Sequence, residues 1–129
     1  MSEPAHQLDI GFTLARDPDT VLCPDVAFVA SERLAALVIG QPFPELAPDL
    51  AVEVLSPGDR RAAVQAKVGE YLAAGVRAVW VLDPATRTVG VHPPGSVEQL
   101  LAADDVLDGG NVVPGFRCPV EALFPSLPR

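Results

Sequence analysis

The chain has 129 residues, of which 49% are hydrophobic and 20% charged. This composition is typical of one folded domain and excludes a disordered chain, and no apolar run approaches the roughly 20 residues that a membrane-spanning helix needs. The net charge of −8 argues against a surface that wraps DNA by charge alone, because non-specific binding comes mostly from Lys and Arg.

The N-terminal third of the sequence predicts short strands separated by turns. The chain begins without the basic start and apolar middle of a signal peptide, so we expect a cytoplasmic protein. Residues 8–15 (LDIGFTLA) and 24–30 (PDVAFVA) have the alternating or β-branched pattern of strands. Residues 31–40 predict a short helix capped by Ser31, and the prolines of residues 41–48 predict a loop.

The middle of the chain predicts a strand–helix–strand unit. Residues 49–56 are nearly all apolar, as expected of a strand that is covered on both faces. Residues 59–75 have apolar positions at helical spacing, with Asp59 as the N-cap and Gly75 as the C-terminal stop. Residues 76–83 form a second apolar run, and two strands joined by a helix should be parallel with a right-handed crossover.

The C-terminal part predicts short elements that complete the sheet and the core. Residues 88–92 (TVGVH) are expected to pair antiparallel with the preceding strand, and residues 97–110 to form two short strands or a strand and a loop. Residues 120–124 predict a helical turn that buries Leu123 and Phe124. Together these elements predict a single α+β domain with an antiparallel hairpin joined to a parallel strand–helix–strand unit.

The histidines and cysteines are not arranged like metal ligands. His6 and His92 lack any metal-like spacing and are expected at the surface or in loops. Cys23 and Cys118 each precede a proline and form no CxxC pair. The sequence therefore gives no indication of a zinc site.

Glu53 stands within an apolar strand, where burying a charge costs several kcal/mol unless a partner or metal compensates it. If residues 24–30 pair antiparallel with residues 49–56, Asp25 lies near Glu53. Two carboxylates with water and phosphate oxygens are suitable ligands for Mg²⁺. Asp49 ranks below Asp25 as a ligand, because it lies about 13 Å from Glu53 along the strand.

The predicted helix adds two further candidates. Lys67 and Tyr71 are four residues apart and so lie on one helix face. A lysine beside two carboxylates can polarise an attacking water or stabilise charge on a phosphate. The alternative is structural: Glu53 pairs with Arg60, Arg61 or Lys67, and the helix residues cover apolar surface with their stems.

The ordered segments PDVAFV, PDLAVEVLSPGD, K and Y four apart, GVRAVWVLDP and VPGFRCPVEALF resemble the Uma-type (Uma2) branch of the PD-(D/E)xK nuclease superfamily. The resemblance covers most of the chain from about residue 8 onward. It implies a restriction-endonuclease-like fold: a mixed β-sheet with a strand–helix–strand unit and flanking antiparallel hairpins. We expect residues 1–129 to form a single domain of this kind, short at its N-terminus relative to the family pattern.

The resemblance also implies roles for individual residues. Asp25 and Glu53 would be the metal-binding carboxylates, for Mg²⁺ or Mn²⁺. The superfamily lysine normally stands two residues after the acid, where this chain has Leu55; Lys67 would replace it from the helix. Tyr71 would orient the lysine or the scissile phosphate.

Two functions follow as expectations. The first is a metal-dependent endodeoxyribonuclease that hydrolyses DNA phosphodiester bonds. The second is a catalytically inactive nuclease-fold domain that acts through oligomer or partner contacts. A homodimer is expected under either function, because a sheet without its usual covering N-terminal helix would expose apolar surface.

Overall fold

The computed structural model describes most of the chain. The described residues are 5–8, 12–15, 20–30, 32–33, 46–93 and 97–124. Their strands are β1 (Ala5–Leu8), β2 (Phe12–Ala15), β3 (Thr20–Leu22), β4 (Val26–Ala30), β5 (Leu50–Val54), β6 (Ala78–Asp83), β7 (Thr88–His92), β8 (Gln99–Leu101), β9 (Val106–Asp108) and β10 (Arg117–Pro119). Helix α1 spans Arg61–Ala73, and a 3₁₀ turn spans Val120–Leu123.

The main sheet has six strands in the order β1-β4-β5-β6-β7-β8. β5 and β6 are parallel and are joined by α1, and the other neighbours in this sheet are antiparallel. β2 pairs with β3, and β9 pairs with β10. This topology confirms the predicted α+β class, the strand–helix–strand unit and the antiparallel partner that follows it.

The two faces of the sheet bury separate cores, since side chains alternate along each strand. Leu50 and Val52 of β5 and Trp80 of β6 face the segment from β9 to the 3₁₀ turn. Within this core, the rings of Trp80 and Phe116 pack with centroids 5.5 Å apart. Ala51 faces α1. The buried core beneath α1 consists of Ala51, Val68, Tyr71, Val76, Val79 and Val81.

The structure divides the predicted strand at residues 8–15. Leu8 ends β1, which pairs with β4, whereas β2 begins at Phe12 and pairs with β3 in a different sheet. The prediction of one strand was therefore wrong at its start. Every β-strand has the same alternating pattern, so the sequence pattern alone does not separate two short strands from one longer strand. Most of the predicted helix at 31–40, with its Ser31 cap, and residues 41–45 of the predicted loop lie outside the described residues.

Helix α1 begins differently from the prediction and ends as predicted. Its N-cap is Arg60, with extended backbone and no side-chain cap. The carboxylate of Asp59 instead accepts a hydrogen bond from the N–H of Ser56 at 2.7 Å, so Asp59 closes the turn between β5 and α1. Gly75 follows the helix with φ of +101°, a conformation that favours glycine.

The C-terminal predictions hold. The segment 97–110 contains the two short strands β8 and β9. Phe124 is buried and Leu123 packs against the same core. Within the described ranges, no helix has the length and hydropathy needed to cross a membrane.

Candidate active site

Glu53 occupies the fourth position of β5 and is only 7% exposed. It lies beside Val81 of the parallel strand β6, on the face that α1 covers. Alternation along β5 places it on the same face as Ala51, which packs beneath α1. The apolar neighbours on this face exclude water from the carboxylate. Its charged form is therefore stable only if other polar groups of the protein bond to it.

Two side chains from α1 reach the Glu53 carboxylate. The hydroxyl of Tyr71 donates to Oε1 at 2.8 Å, and Nζ of Lys67 lies 3.3 Å from Oε2. Tyr71 is completely buried, whereas the Lys67 side chain is 38% exposed. Residues four apart on a helix share one face, and the structure places both side chains against the strand acid. The ion pair between Lys67 and Glu53 is the contact that the structural alternative predicted.

Asp25 reaches the same end of β5 from the neighbouring antiparallel strand. Val26 of β4 is opposite Val52, and the exposed carboxylate of Asp25 accepts the backbone N–H of Val54 at 2.6 Å. Its negative charge contributes to the environment of Glu53. The structure therefore brings together all four residues that the sequence singled out.

Burial raises the pKa of Glu53 above its usual value of 4.5, because desolvation penalises the charged form more than its partners favour it. The hydrogen bond from Tyr71 and the charge of Lys67 lower this pKa, and Asp25 raises it. The pKa of Tyr71 is raised strongly, first by burial and then by its bond to Glu53. Tyr71 therefore stays protonated and acts as a hydrogen-bond donor.

A cavity of about 370 Å³ opens beside this cluster. β3 contributes Leu22, and the end of β5 and the following turn contribute further lining groups. Helix α1 supplies the rest, including Lys67. The lining residues are Leu22, Glu53, Val54, Leu55, Asp59, Arg60, Ala63, Val64, Ala66, Lys67 and Glu70.

The donors at this site fit Mg²⁺ better than a transition metal. Glu53 and Asp25 offer only carboxylate oxygens, and Mg²⁺ is typically held by one or two carboxylates together with waters and substrate phosphates. Among the residues that the structure describes, no cluster of three or more His, Cys, Asp or Glu side chains could enclose a metal ion. Two carboxylates would leave most coordination positions of such a cation to groups from outside the chain.

Asp49, the buried acid directly before β5, has a different environment from Glu53. Its Oδ2 accepts the N–H of Ala30 at 2.7 Å and lies 3.0 Å from Arg33, and its Oδ1 lies 3.9 Å from Arg77. Asp49 is 2% exposed. Its oxygens are thus engaged by a backbone donor and two arginines, which makes it a structural carboxylate.

The sequence did not identify two features around the sheet. His92 is buried at the end of β7, with Nε2 3.6 Å from Oε1 of Glu98, so the prediction of a surface or loop position was wrong. Its place in the alternating TVGVH strand was the available signal. Arg60 lines the cavity, although Arg60 and Arg61 are equivalent by sequence alone.

Phenylalanine at position 71 should raise the pKa of Glu53 further, because the Tyr71 hydroxyl stabilises the ionised carboxylate. We expect the free energy of unfolding to fall by about 1 kcal/mol at pH 7, and by less in acid, where Glu53 is protonated. Carboxyl NMR titration and urea denaturation at both pH values test this. An unchanged or lower pKa of Glu53 would contradict the role assigned to the hydroxyl.

The chain matches proteins that are described as nucleases. The family model Uma2, with the description "Putative restriction endonuclease", matches residues 4–121. The structure is similar to that of a "putative nuclease belonging to DUF820" from Anabaena variabilis ATCC 29413, with a TM-score of 0.81 and 22% sequence identity over 95% of this chain and 69% of that chain. None of the curated proteins matches the present chain. At this identity the structural likeness establishes a shared fold.

Proposed function

This chain belongs to the Uma2 family of restriction-endonuclease-like proteins, and from that premise we propose that it is a Mg²⁺-dependent nuclease of PD-(D/E)xK type that hydrolyses DNA. The observation that supports this proposal is the buried Glu53 carboxylate, held by Lys67 and Tyr71 at the edge of a cavity and close to Asp25. A buried acid with a raised pKa in a cleft is typical of functional sites.

Glu53 and Asp25 would hold the cation. When bound, Mg²⁺ supplies positive charge that polarises a phosphoryl oxygen. Tyr71 fixes one oxygen of Glu53 by its hydrogen bond, so that the carboxylate keeps one orientation. Such supporting hydrogen bonds commonly tune ligands of a metal site.

Lys67 would bind the scissile phosphate. Its ammonium group contacts Glu53 and its partly exposed side chain lines the cavity, so it can donate to a phosphate oxygen as negative charge develops there. In the reaction, a water oxygen bonds to phosphorus while the bond from phosphorus to one sugar oxygen breaks. The water loses a proton to solvent, and the leaving oxygen gains one.

Lys67 is the single lysine of the chain, which makes its role testable. Purified protein should cut DNA with Mg²⁺ or Mn²⁺ and lose this activity in EDTA. Lys67→Met keeps the apolar stem and removes the charge, and we expect about 100- to 1,000-fold slower cleavage. Single-turnover cleavage rates measure the effect. Full activity in EDTA, or in Lys67→Met, would refute the proposal.

The catalytically inactive alternative is supported by Leu55, which occupies the position of the superfamily lysine and packs against the apolar core beneath α1. In that case the exposed Val97 and Leu100 near the edge strand β8 would serve oligomer or partner contacts. Calorimetric titration separates the two functions. Binding of Mg²⁺ or Mn²⁺ that is lost in Glu53→Gln favours the nuclease, and absence of binding at neutral pH leaves the alternative.

A further inference from the structure

The cavity beside Glu53 has a substantial apolar lining. Leu22, Leu55 and Val64 reach it from β3, from the residue after β5 and from α1, and each packs against the core beneath the helix. They are therefore fixed parts of the cavity rather than mobile surface groups. Contact with an apolar surface does not stabilise a bound phosphate. It does stabilise the face of a bound sugar or base.

The size of the cavity limits what can enter. About 370 Å³ is at the low end of the roughly 300–1,000 Å³ of small-molecule sites, so it can accept one nucleotide but no section of duplex. In a duplex the base faces are covered by stacking and the pairing edges by the partner strand. A base reaches such a cavity only when it is unpaired or flipped out.

The charge distribution favours the same substrate. The chain has 9 Lys and Arg against 17 Asp and Glu, whereas a protein that grips a duplex commonly makes about 6–10 phosphate contacts. Two cations, Arg60 and Lys67, line the cavity. Binding is therefore expected to depend on a few local contacts instead of an extended basic surface.

Building on the proposed nuclease function, we propose that the cavity binds one unpaired nucleotide of a DNA strand. Its base or sugar lies against Leu22, Leu55 and Val64. Its phosphates lie at Lys67 and Arg60. The substrate class is thus single-stranded DNA, or a nucleotide displaced from a duplex.

Arg60 is suited to hold a phosphate. Among the described residues its side chain makes no ion pair or hydrogen bond, and it is exposed at the rim of the cavity. The adjacent Arg61 is also exposed but lines a different cavity, with His92 and Glu98. The two arginines have the same charge and are adjacent in the sequence, but they line different cavities. Arg61 therefore serves as the control for substitutions of Arg60.

Fluorescence anisotropy with labelled single-stranded and blunt duplex DNA of one sequence tests the proposal, first with Ca²⁺ and then in EDTA. We expect the single strand to bind at least about tenfold more tightly with Ca²⁺, as one base contact allows. Arg60→Ala should weaken its binding about tenfold and reduce the slope of log Kd against log salt by about 0.7. Arg61→Ala should change neither quantity appreciably.

A second variant tests the apolar lining. Val64→Ser should weaken binding of the single strand, whereas Leu100→Ser, an exposed apolar residue of β8, should not. Thermal unfolding of each variant checks that it folds. Equal affinity for single strand and duplex, equal effects of the two arginine variants, or no binding to either DNA would overturn the inference.

Binding and cleavage report on separate claims. If the protein prefers the single strand and the variants behave as stated, but Mg²⁺ and Mn²⁺ support no hydrolysis, the proposed catalytic function fails and the nucleotide site stands. If DNA is cut in a metal-dependent way but the duplex binds as tightly as the single strand, the nuclease stands and the nucleotide site fails.

Discussion

Glutamine at position 53 is expected to abolish metal-dependent cleavage and to raise the free energy of unfolding at neutral pH. The loss of activity follows from the loss of the charge that would hold the cation, and we expect a rate at least about 100- to 1,000-fold lower. Glutamine has nearly the same shape as glutamate, and its carbonyl can still accept the Tyr71 hydroxyl. The substitution therefore removes charge without removing packing.

The gain in stability follows from the direction of the pKa shift. Because burial raises the pKa of Glu53 above 4.5, the fold favours the protonated form. The stability contributed by this group is therefore present below its unfolded-state pKa and is lost as the pH rises through the folded-state pKa. Glutamine does not titrate, so the variant avoids this loss at pH 7.

We expect a gain of roughly 0.5–2 kcal/mol at pH 7, the usual size of a single stabilising substitution. The gain should shrink toward pH 4. Lys67 loses its partner, but its side chain is 38% exposed, so solvent compensates for most of that loss.

Urea denaturation at pH 7 and pH 4, together with single-turnover cleavage, measures both effects. Glu121→Gln, which changes an exposed carboxylate on the 3₁₀ turn, is the matched control and should leave stability within about 0.5 kcal/mol. A Glu53→Gln variant that is less stable at pH 7 than the wild type would identify Glu53 as a structural ion-pair residue. Retained cleavage would remove it from the active site.

The fold is largely predictable from the sequence because its middle is locally unambiguous. The runs at 49–56 and 76–83 are too apolar for exposed strands, and the helix between them is long and periodic. Their parallel pairing then follows, and it places Glu53 beneath α1 with Lys67 and Tyr71 on the facing side. The predicted resemblance to the Uma-type branch is confirmed by the family match over residues 4–121.

The boundaries of elements are less predictable. Asp59 and Arg60 are both adjacent to the helix, and only the tight turn at Ser56 decides that the carboxylate of Asp59 bonds there. Arg60 has an extended backbone and Arg61 is the first helical residue. In the folded chain Arg60, and not Arg61, lines the cavity beside Glu53.

The roles of the two acids of β5's face also depend on tertiary structure. Asp49 and Glu53 are four residues apart in one apolar stretch of the sequence, and alternation places them on the same face of the strand. What separates them are Arg33 and Arg77, which lie 16 and 28 residues away in the numbering of the chain. In the folded protein both arginines reach Asp49, whereas the partners of Glu53 come from one helix that borders a cavity.

Alanine at position 49 is expected to give the opposite result to glutamine at position 53. It leaves the N–H of Ala30 without its acceptor and removes the partner of Arg33 and Arg77. An unsatisfied buried donor costs about 1–3 kcal/mol. The arginines are 35% and 48% exposed, so each lost pair adds about 0–1 kcal/mol. We expect a total loss of about 1–5 kcal/mol.

The rate of cleavage per folded molecule should remain close to that of the wild type, because Asp49 contacts none of the groups proposed to bind the metal or the phosphate. Denaturation curves at pH 7 give the loss of stability, and cleavage and Mg²⁺ titration at a temperature where the variant is folded give the function. Asp49→Asn is the graded control, since its amide oxygen can still accept from Ala30 and it should lose less. If Asp49→Ala instead abolished Mg²⁺ binding at unchanged stability, the metal ligands would have to include Asp49, and the division of this strand into a structural acid and a functional acid would be wrong.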